Sequence, residues 1–294
     1  MGALTMPTFD TPQPISASLN VVMGDVRIVA GDTDTTVVDV RPSDPSNTDD
    51  VKAAELTRAD FAGKQLTVRT PKIRSWRPRN DGGSVELTIT LPADSTLHAT
   101  GQVTDFQSDG ALGDCAVKTG IGQIRLDTTG AVSLKAGIGD VAVEHARGDA
   151  EVTTGSGDVR LGLVDGGGVV VKNSNGDTWV GEVTRDARVN AANGRITVER
   201  AHADVVAKSS NGDVRVGEVR RGTVVVETSL GDLEVGIAEN TAAWLDVRAS
   251  AGRIRNALAA AEAPGPSAET VEIRARTSAG DVVIRRASSL HPVR

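Results

Sequence analysis

The chain has 294 residues, of which 39% are hydrophobic, 24% are charged and 2% are aromatic. These proportions are typical of a folded soluble protein, and no apolar run approaches the roughly 18 residues of a membrane-spanning helix. The 39 acidic and 32 basic residues give a net charge of −7, which excludes the basic footprint expected of a nucleic-acid-binding protein.

The first twelve residues contain no basic stretch followed by an apolar one, so we predict no secretory signal and a cytoplasmic location. The single cysteine, Cys115, can form neither an internal disulfide nor a zinc cage. It stands two residues after Gly113, where the pattern places inward aliphatic side chains. We therefore predict a buried core thiol, and nothing in the sequence indicates a cofactor.

Residues 1–100 are predicted to form an irregular β-rich region. The segments with strand character are residues 15–22, 37–41, 65–69 and 84–91. Residues 49–56 are predicted to form a short helix with Asn47 or Thr48 near its N-cap, and residues 73–83 a loop. We expect this region to cap the rest of the fold, because an uncovered terminal coil favours edge-to-edge association.

Residues 101–294 are dominated by an internal repeat. A short turn that ends in glycine, usually followed by aspartate, recurs at intervals of 17 to 21 residues, with a final interval of 28. The glycines are Gly122, Gly139, Gly157, Gly176, Gly194, Gly212, Gly231, Gly252 and Gly280. On both sides of each turn, aliphatic residues alternate with polar ones, which is the period of a β-strand. Each repeat of about 18 residues is predicted to be strand, turn, strand, turn.

Two architectures fit this pattern. The Asn-Gly pairs at 175–176, 193–194 and 211–212 favour hairpins and an antiparallel meander. In a β-solenoid, each repeat would instead form one coil and stack equivalent residues on the next coil. A meander would need about twenty strands in one open sheet, which exceeds the usual size. We therefore predict an all-β, single-stranded β-solenoid, similar to a β-helix, with two short strands per coil.

The solenoid prediction also assigns a role to the residues three positions before the glycines. They are Thr119, Thr154, Asn173, Ser209, Thr228 and Thr277, and we expect them to form a hydrogen-bonding ladder along one corner. Residues 256–269 interrupt the repeat with an Ala-rich and then a Pro-Gly-Pro sequence. This predicts an inserted short helix and loop before the last strand pair, within a solenoid domain of residues 101–294.

The repeated phrases N-G-D-x-x-V-G-E-V and T-G-S-G-D-V-R-L, found at residues 175–183 and 154–161, resemble those of a known bacterial family. It is a β-strand-repeat family of unknown function labelled "putative adhesin", and the resemblance covers nearly the whole chain from Met6. It implies a β-solenoid fold and a binding or scaffolding role, and it brings no catalytic residues. Only the label suggests a cell-surface association.

Five aspartates follow the glycines and should stack along one corner: Asp140, Asp158, Asp177, Asp213 and Asp232. Stacked carboxylates can raise one another's pKa or hold a cation. However, one aspartate per coil does not supply the roughly six to eight oxygen ligands of calcium, and aspartate suits a turn after glycine. We interpret these residues as turn residues and as weak metal candidates only.

Five further residues occupy the outward position between the two core aliphatics of a coil: Arg125, Arg160, Trp179, Arg215 and Arg255. Arginines beside an exposed aromatic ring can bind an acidic glycan, a phosphate or a protein partner. The alternative is a solvated face whose arginines pair with neighbouring acids. We take these five as the candidate binding residues.

The sequence thus predicts a non-enzymatic β-solenoid that binds a protein or glycan partner or serves as a scaffold. No G-x-S-x-G elbow or phosphate-binding loop is present. A carbohydrate-active solenoid enzyme and self-assembly through the solenoid ends are the alternatives.

Overall fold

The structure is a computed structural model that describes residues 6–71, 83–258 and 269–287. The chain divides into two compact units, Met1–Arg147 with Val152–Ser156 and Gly148–Glu151 with Gly157–Arg294. A boundary near residue 100 is not tested by this division and stays a prediction. The predicted loop at 73–83 and the predicted insertion at 256–269 lie almost entirely outside the described residues.

The described part of the chain contains 25 β-strands and one α-helix, α1 (Thr48–Leu56). The strands of the first unit are β1 (Thr8–Asp10), β2 (Ser16–Gly31), β3 (Thr35–Pro42), β4 (Arg58–Ala62), β5 (Gln65–Arg69), β6 (Val85–Pro92), β7 (Thr96–Ala111), β8 (Cys115–Ile121), β9 (Ile124–Thr129), β10 (Val132–Ile138) and β11 (Val141–Ala146). Strand β12 (Ala150–Ser156) includes residues of both units.

The strands of the second unit are β13 (Val159–Val164), β14 (Val169–Asn175), β15 (Thr178–Val183), β16 (Ala187–Asn193), β17 (Ile196–Ala201), β18 (Val205–Asn211), β19 (Val214–Val219), β20 (Gly222–Leu230), β21 (Leu233–Ile237), β22 (Thr241–Ala251), β23 (Ile254–Asn256), β24 (Glu269–Ala279) and β25 (Val282–Arg286). The four strands predicted in the N-terminal region are confirmed as β2, β3, β5 and β6. The predicted helix is confirmed as well, and the Asn47 side chain caps it by accepting the Asp49 N–H.

The first unit consists of two parallel sheets. Sheet A has the order β5–β2–β7–β8–β10, and sheet B has the order β6–β2–β7–β9–β11. Strands β2 and β7 are long enough to contribute their first halves to sheet A and their second halves to sheet B. At the edge of this unit, β4 pairs antiparallel with β5, and β3 with β6. The parallel ladders therefore continue into antiparallel strands at this edge, and the capping role of the region stays a prediction.

The second unit repeats the arrangement. Its sheet A has the order β14–β16–β18–β20–β24–β22, and its sheet B has the order β13–β15–β17–β19–β21–β25–β23. Up to β21, paired residues are 18 or 19 positions apart, as Val189 and Ala207 are. Parallel, in-register stacking confirms the β-solenoid and rules out the meander for these strands.

The C-terminal coils do not follow chain order. The last coil in the sequence, β24–β25, lies between β20–β21 and β22–β23. Leu233 therefore pairs with Val282, which in turn pairs with Ile254. The 28-residue interval from Gly252 to Gly280 thus marks a return of the chain to an inner position.

The core of each unit is a stack of inward aliphatic side chains. In sheet B of the second unit, one row comprises Leu161, Val180, Val198, Val216, Val235 and Ile284, all 0% exposed. Cys115 belongs to such a row in the first unit, between Leu97 and Val132, and is 3% exposed. The predicted core thiol is confirmed. Burial in this row raises the pKa of Cys115 to about 12.

Candidate functional site

The turn between the two strands of each coil, here called the glycine corner, has the same backbone in both units. Its nine glycines have φ between +129° and +156°, where L side chains are strained. A Cβ on Gly139 would overlap the carbonyl oxygen of Gly122, and one on Gly194 would overlap that of Gly176. Glycine is therefore required both by the backbone conformation and by the close approach of neighbouring coils.

The aspartates of the glycine corner bind the backbone of the next coil. The amides of Asp177, Arg195, Asp232 and Asp281 donate to the carboxylates of Asp158, Asp177, Asp213 and Asp232 over 2.7–2.9 Å. Asp140 holds the same position in the first unit. Among the described residues, no three His, Cys, Asp or Glu side chains are grouped so that they could hold a metal ion. The carboxylates form a ladder of turn contacts, which is interrupted at Arg195.

The residues three positions before the glycines form the predicted ladder. Thr119, Thr154, Asn173, Ser209, Thr228 and Thr277 are buried, and each donates to a carbonyl of the neighbouring coil over 2.9–3.4 Å. The prediction of a hydrogen-bonded corner is confirmed. These hydrogen bonds join neighbouring coils and so stabilise the stack.

The outward residues of sheet B in the second unit form one row across the strands. In spatial order they are Arg160, Trp179, Thr197, Arg215, Glu234, Val283 and Arg255. Arg160 lies over the Trp179 ring, with its guanidinium carbon 4.1 Å from the ring centroid. Trp179 Nε1 also donates to Glu199 Oε1 over 3.4 Å. The structure thus brings a cation, an aromatic ring and a carboxylate together on this face.

Glycines make room for the tryptophan ring. On four of these strands, the outward position two residues further along is occupied by Gly162, Gly181, Gly217 and Gly236, whereas on β17 it is occupied by Glu199. A Cβ on Gly181 would stand only 2.7 Å from Cη2 of Trp179, so the ring lies over this glycine. The half-buried ring therefore lies against the surface of the sheet with the guanidinium of the exposed Arg160 stacked on it.

The other candidate residues of this unit are further away. Thr197 lies between Trp179 and Arg215. The buried Nε of Arg215 has no hydrogen-bond partner in the described part of the chain. Arg255 is exposed on β23, and two strands, β21 and β25, separate it from Arg215. The position of Arg255 in this row could not be predicted from the sequence, because the last two coils stack in the reverse of their chain order.

Arg125 lies in the first unit, on the outer face of sheet B, in line with Arg27 and Gln107. This face carries mostly acidic side chains: Asp25, Glu86, Asp105, Asp109, Asp127 and Glu144. Arg27 pairs with Asp109 at 2.8 Å. Burial raises the pKa of the Asp25 carboxyl, and the negative charges of Asp105 and Glu86 raise it further. Arg125 is therefore one of few cations on an acidic surface.

Sequence reasoning missed the outer faces of the two A sheets, which carry six cations in the second unit: Lys172, Arg188, Lys208, Arg248, Arg274 and Arg276. Four of the six form ion pairs, such as Lys208 with Glu227 at 2.8 Å. In the first unit, Lys118 and Lys135 lie side by side on β8 and β10. Lys118 and Lys135 occupy equivalent positions in consecutive repeats, and this feature of the sequence could have predicted that they are neighbours.

A small charged cluster lies on sheet B of the second unit. Arg200 donates to Glu182 Oε2 over 2.7 Å, and Nε2 of His202 lies 2.9 Å from Glu182 Oε1. The hydrogen bond from Arg200 lowers the pKa of Glu182 most, and burial opposes it in part. The cluster is a surface ion-pair network that joins neighbouring coils.

Within residues 6–71, 83–258 and 269–287, no helix has the length and apolar character needed to cross a bilayer. No protein with a curated description matches the chain.

Solved structures that are similar to this chain include three from the genera Bacteroides and Parabacteroides. A "putative adhesin" from Bacteroides fragilis is 13% identical with a TM-score of 0.44, over 95% of this chain and 96% of that one. A second "putative adhesin", from Parabacteroides merdae, is 10% identical with a TM-score of 0.39, over 95% of each chain. A "putative lipid binding protein" from Parabacteroides distasonis is 12% identical with a TM-score of 0.40, over 97% of this chain and 96% of that one.

At this level of similarity, those names describe those proteins alone. A family model also matches the chain, and the match begins in β2 and ends just after β25, covering residues 17–288. It includes both units and every coil described above. The protein therefore belongs to the Toastrack DUF4097 family.

Proposed function

We propose that this protein is a non-enzymatic binding or scaffolding protein whose second unit holds a protein or glycan partner on the outer face of sheet B. The observation that carries the proposal is the group formed by Arg160, Trp179 and Glu199. A guanidinium stacked at 4.1 Å on a half-buried indole offers a partner an apolar surface, a cation and a carboxylate within one small area.

Tryptophan and arginine are the residues that most often dominate binding energy at interfaces. Here the sheet already holds both in place, so a partner would order few additional side chains on binding. Arg215, with its unpartnered Nε two strands away, extends the same face. These features support a preorganised binding surface.

The alternative of a carbohydrate-active enzyme has less support. A glycosidase needs two carboxyl groups at a fixed separation and free to reach the sugar. The regularly stacked aspartates accept backbone amides of neighbouring coils, which is a structural task. No specific observation favours catalysis at another group of residues.

The test uses the full chain on an array of glycans and in pull-downs against purified candidate proteins. W179A and R160A should each weaken the interactions found by about 2 kcal/mol, the size typical of a central interface residue. W244A is the matched control, because Trp244 is 59% exposed in the same unit but lies on sheet A. If every interaction persists in W179A/R215A, this face is not the site. Hydrolysis of any arrayed glycan would favour the enzyme.

A further inference from the structure

We propose that the first unit binds the surface of an anionic lipid bilayer, with an aliphatic ridge that enters the headgroup region and a neighbouring basic face that contacts the lipid phosphates. The inference goes beyond the proposed function, because it concerns another unit, other residues and another class of partner. It depends on two independent features that coincide in the first unit.

The first feature is a ridge of exposed aliphatic side chains, here called the aliphatic ridge. It consists of Val103, Ile121 and Ile138, which are 41%, 49% and 57% exposed. They are direct neighbours on β7, β8 and β10, and the half-buried Met23 on β2 continues the line. Single exposed aliphatic residues are ordinary, but a row of neighbours forms a continuous apolar patch.

The second feature is a row of polar and basic side chains on the outer face of sheet A, here called the basic face. Its members are Arg69, Asn20, Thr100, Lys118 and Lys135, which follow one another across β5, β2, β7, β8 and β10. All five are exposed. Strands are spaced about 4.8 Å apart, so Arg69 and Lys135 lie about 19 Å apart along a line of accessible donors.

Among the described residues of the first unit, no acid forms an ion pair with the cations of the basic face. The segments of β5, β2, β7, β8 and β10 that form sheet A contain no Asp or Glu, and in the described part of the chain Arg69, Lys118 and Lys135 form no ion pair. Outward acids are present on other strands: the antiparallel β4 carries Asp60 opposite Thr67, and β12 carries the exposed Glu151. Lys118 and Lys135 directly oppose each other, and like charges in this position repel. An anionic surface would remove this repulsion.

The ridge and the basic face are adjacent. Ile121 follows Lys118 by three residues, Ile138 follows Lys135 by three, and the exposed Gly120 and Gly137 stand between them. Because these glycines have no side chains, a flat surface can approach the ridge and the lysines together. The ammonium groups of the lysines can then contact lipid phosphates, while the aliphatic side chains of the ridge enter the boundary of the acyl chains.

The shape favours a bilayer over a protein partner. The ridge projects from a corner of the coil, whereas a protein hot spot is a residue seated in a complementary pocket. No aromatic side chain belongs to the ridge or to the basic face. Short aliphatic side chains beside unpaired lysines have the composition of interfacial anchors, whose binding combines buried apolar area with attraction to anionic lipids.

The second unit serves as an internal control. Its residues at the ridge position include Asn175, Asn193 and Asn211, and Asn193 donates to Asn175 over 3.0 Å. Leu230 is the exposed aliphatic residue there, between Asn211 and Ala279. Four of the six outward cations on its sheet A are paired with acids. Neither half of the proposed membrane surface is complete in this unit.

The test measures cosedimentation of the full chain with vesicles of equal parts phosphatidylglycerol and phosphatidylcholine, and with pure phosphatidylcholine vesicles. We expect binding to the anionic vesicles, weaker binding as salt rises, and little binding to the neutral ones. K118E/K135E and I121S/I138S should each weaken binding by about tenfold or more. All four positions are exposed, so circular dichroism should show an intact fold.

Matched controls come from the second unit. K172E/R188E changes the net charge by the same amount on two exposed cations, and L230S removes its exposed aliphatic residue; both should bind like the unaltered chain. The proposal is overturned if the unaltered chain binds no anionic vesicles, if K172E/R188E loses as much binding as K118E/K135E, or if I121S/I138S binds normally. Binding of dextran sulfate or polyphosphate without vesicle binding would identify a soluble polyanion instead. W179A/R215A should bind vesicles normally, which separates this proposal from the proposed function.

Discussion

The two units have the same coil but different exteriors. At the glycine corner both have positive-φ glycines, buried donors before them and tightly stacked neighbouring coils. At the same corner, the outward residue is Ile121 or Ile138 in the first unit and Asn193 or Asn211 in the second. The comparison teaches that the repeated residues build the coil, and that the residues which vary between repeats give the two units different surfaces.

The outer faces extend this difference. Sheet A of the first unit presents Lys118 and Lys135 without acidic partners, whereas in the second unit Lys208 is balanced by Glu227. A paired surface gains little from an added anion, because its cations are already satisfied. A surface with unpaired cations gains more binding free energy from an added anion. This difference in surface charge separates the two units more clearly than the fold does.

The largest expected effect tests whether the cores of the two units are equally inaccessible to solvent and to a thiol reagent. Because burial raises the pKa of Cys115 from 9.0 to about 12, the thiolate fraction at pH 8 should fall on the order of a thousandfold, and labelling by Ellman's reagent should slow accordingly. V198C in a C115A background should be equally protected, since Val198 is 0% exposed. Rapid labelling of either thiol without denaturant would show that one core is open. Because the folded pKa is raised, the stability contribution of Cys115 is complete below pH 9 and is lost as pH rises toward 12.

The next effect tests the shared corner. G139A in the first unit and G194A in the second should each destabilise the fold by about 3 kcal/mol or more, because the substitution combines backbone strain with overlap of a neighbouring carbonyl. Urea denaturation measures the change. G31A is the control, because nothing lies within 4 Å of its added Cβ. A large loss of unfolding free energy in only one of the two variants would show that the glycine corners of the two units are not equivalent.

The smallest effect concerns the paired surface. E182Q should cost no more than about 1 kcal/mol at neutral pH, because the ion pair with Arg200 is partly exposed and screened by solvent. The lowered pKa of Glu182 means that its contribution is present above the ordinary glutamate pKa and is lost as pH falls through the folded value. E182Q should therefore lack this part of the pH dependence, whereas K118Q/K135Q retains Glu182 and should keep it. Stability curves from pH 3 to 7 would reveal either deviation.

Much of the fold follows from the sequence, because the evidence for it is local. Alternation of aliphatic and polar residues sets the strands, and the recurring glycine marks where the backbone must turn. The buried state of Cys115 and the role of Thr228 both follow from their positions within the repeat. The strand pairs at the C-terminal end could not be predicted in this way, because the repeat contains no information on which coil stacks on which.

The candidate site was predictable only in part. Arg160 and Trp179 belong to consecutive repeats, so their contact follows once the coils stack in register. Glu199 was missed because its carboxylate reaches Trp179 from a different position in the next coil. The basic face could not be read from the repeat alone, because Arg69 and Asn20 lie outside the repeat and join the row of Lys118 only through strand pairing.

By itself, the sequence determined the coil: its two strands, its length of about 18 residues, its glycine corner and its aliphatic core. These depend on interactions that recur within each repeat. Only the tertiary structure decided that β25 lies between β21 and β23, and that Arg69 stands beside Asn20 in the row that leads to Lys118 and Lys135. Such neighbours are far apart along the chain, and the hydrogen-bonded pairing of whole strands brings them together.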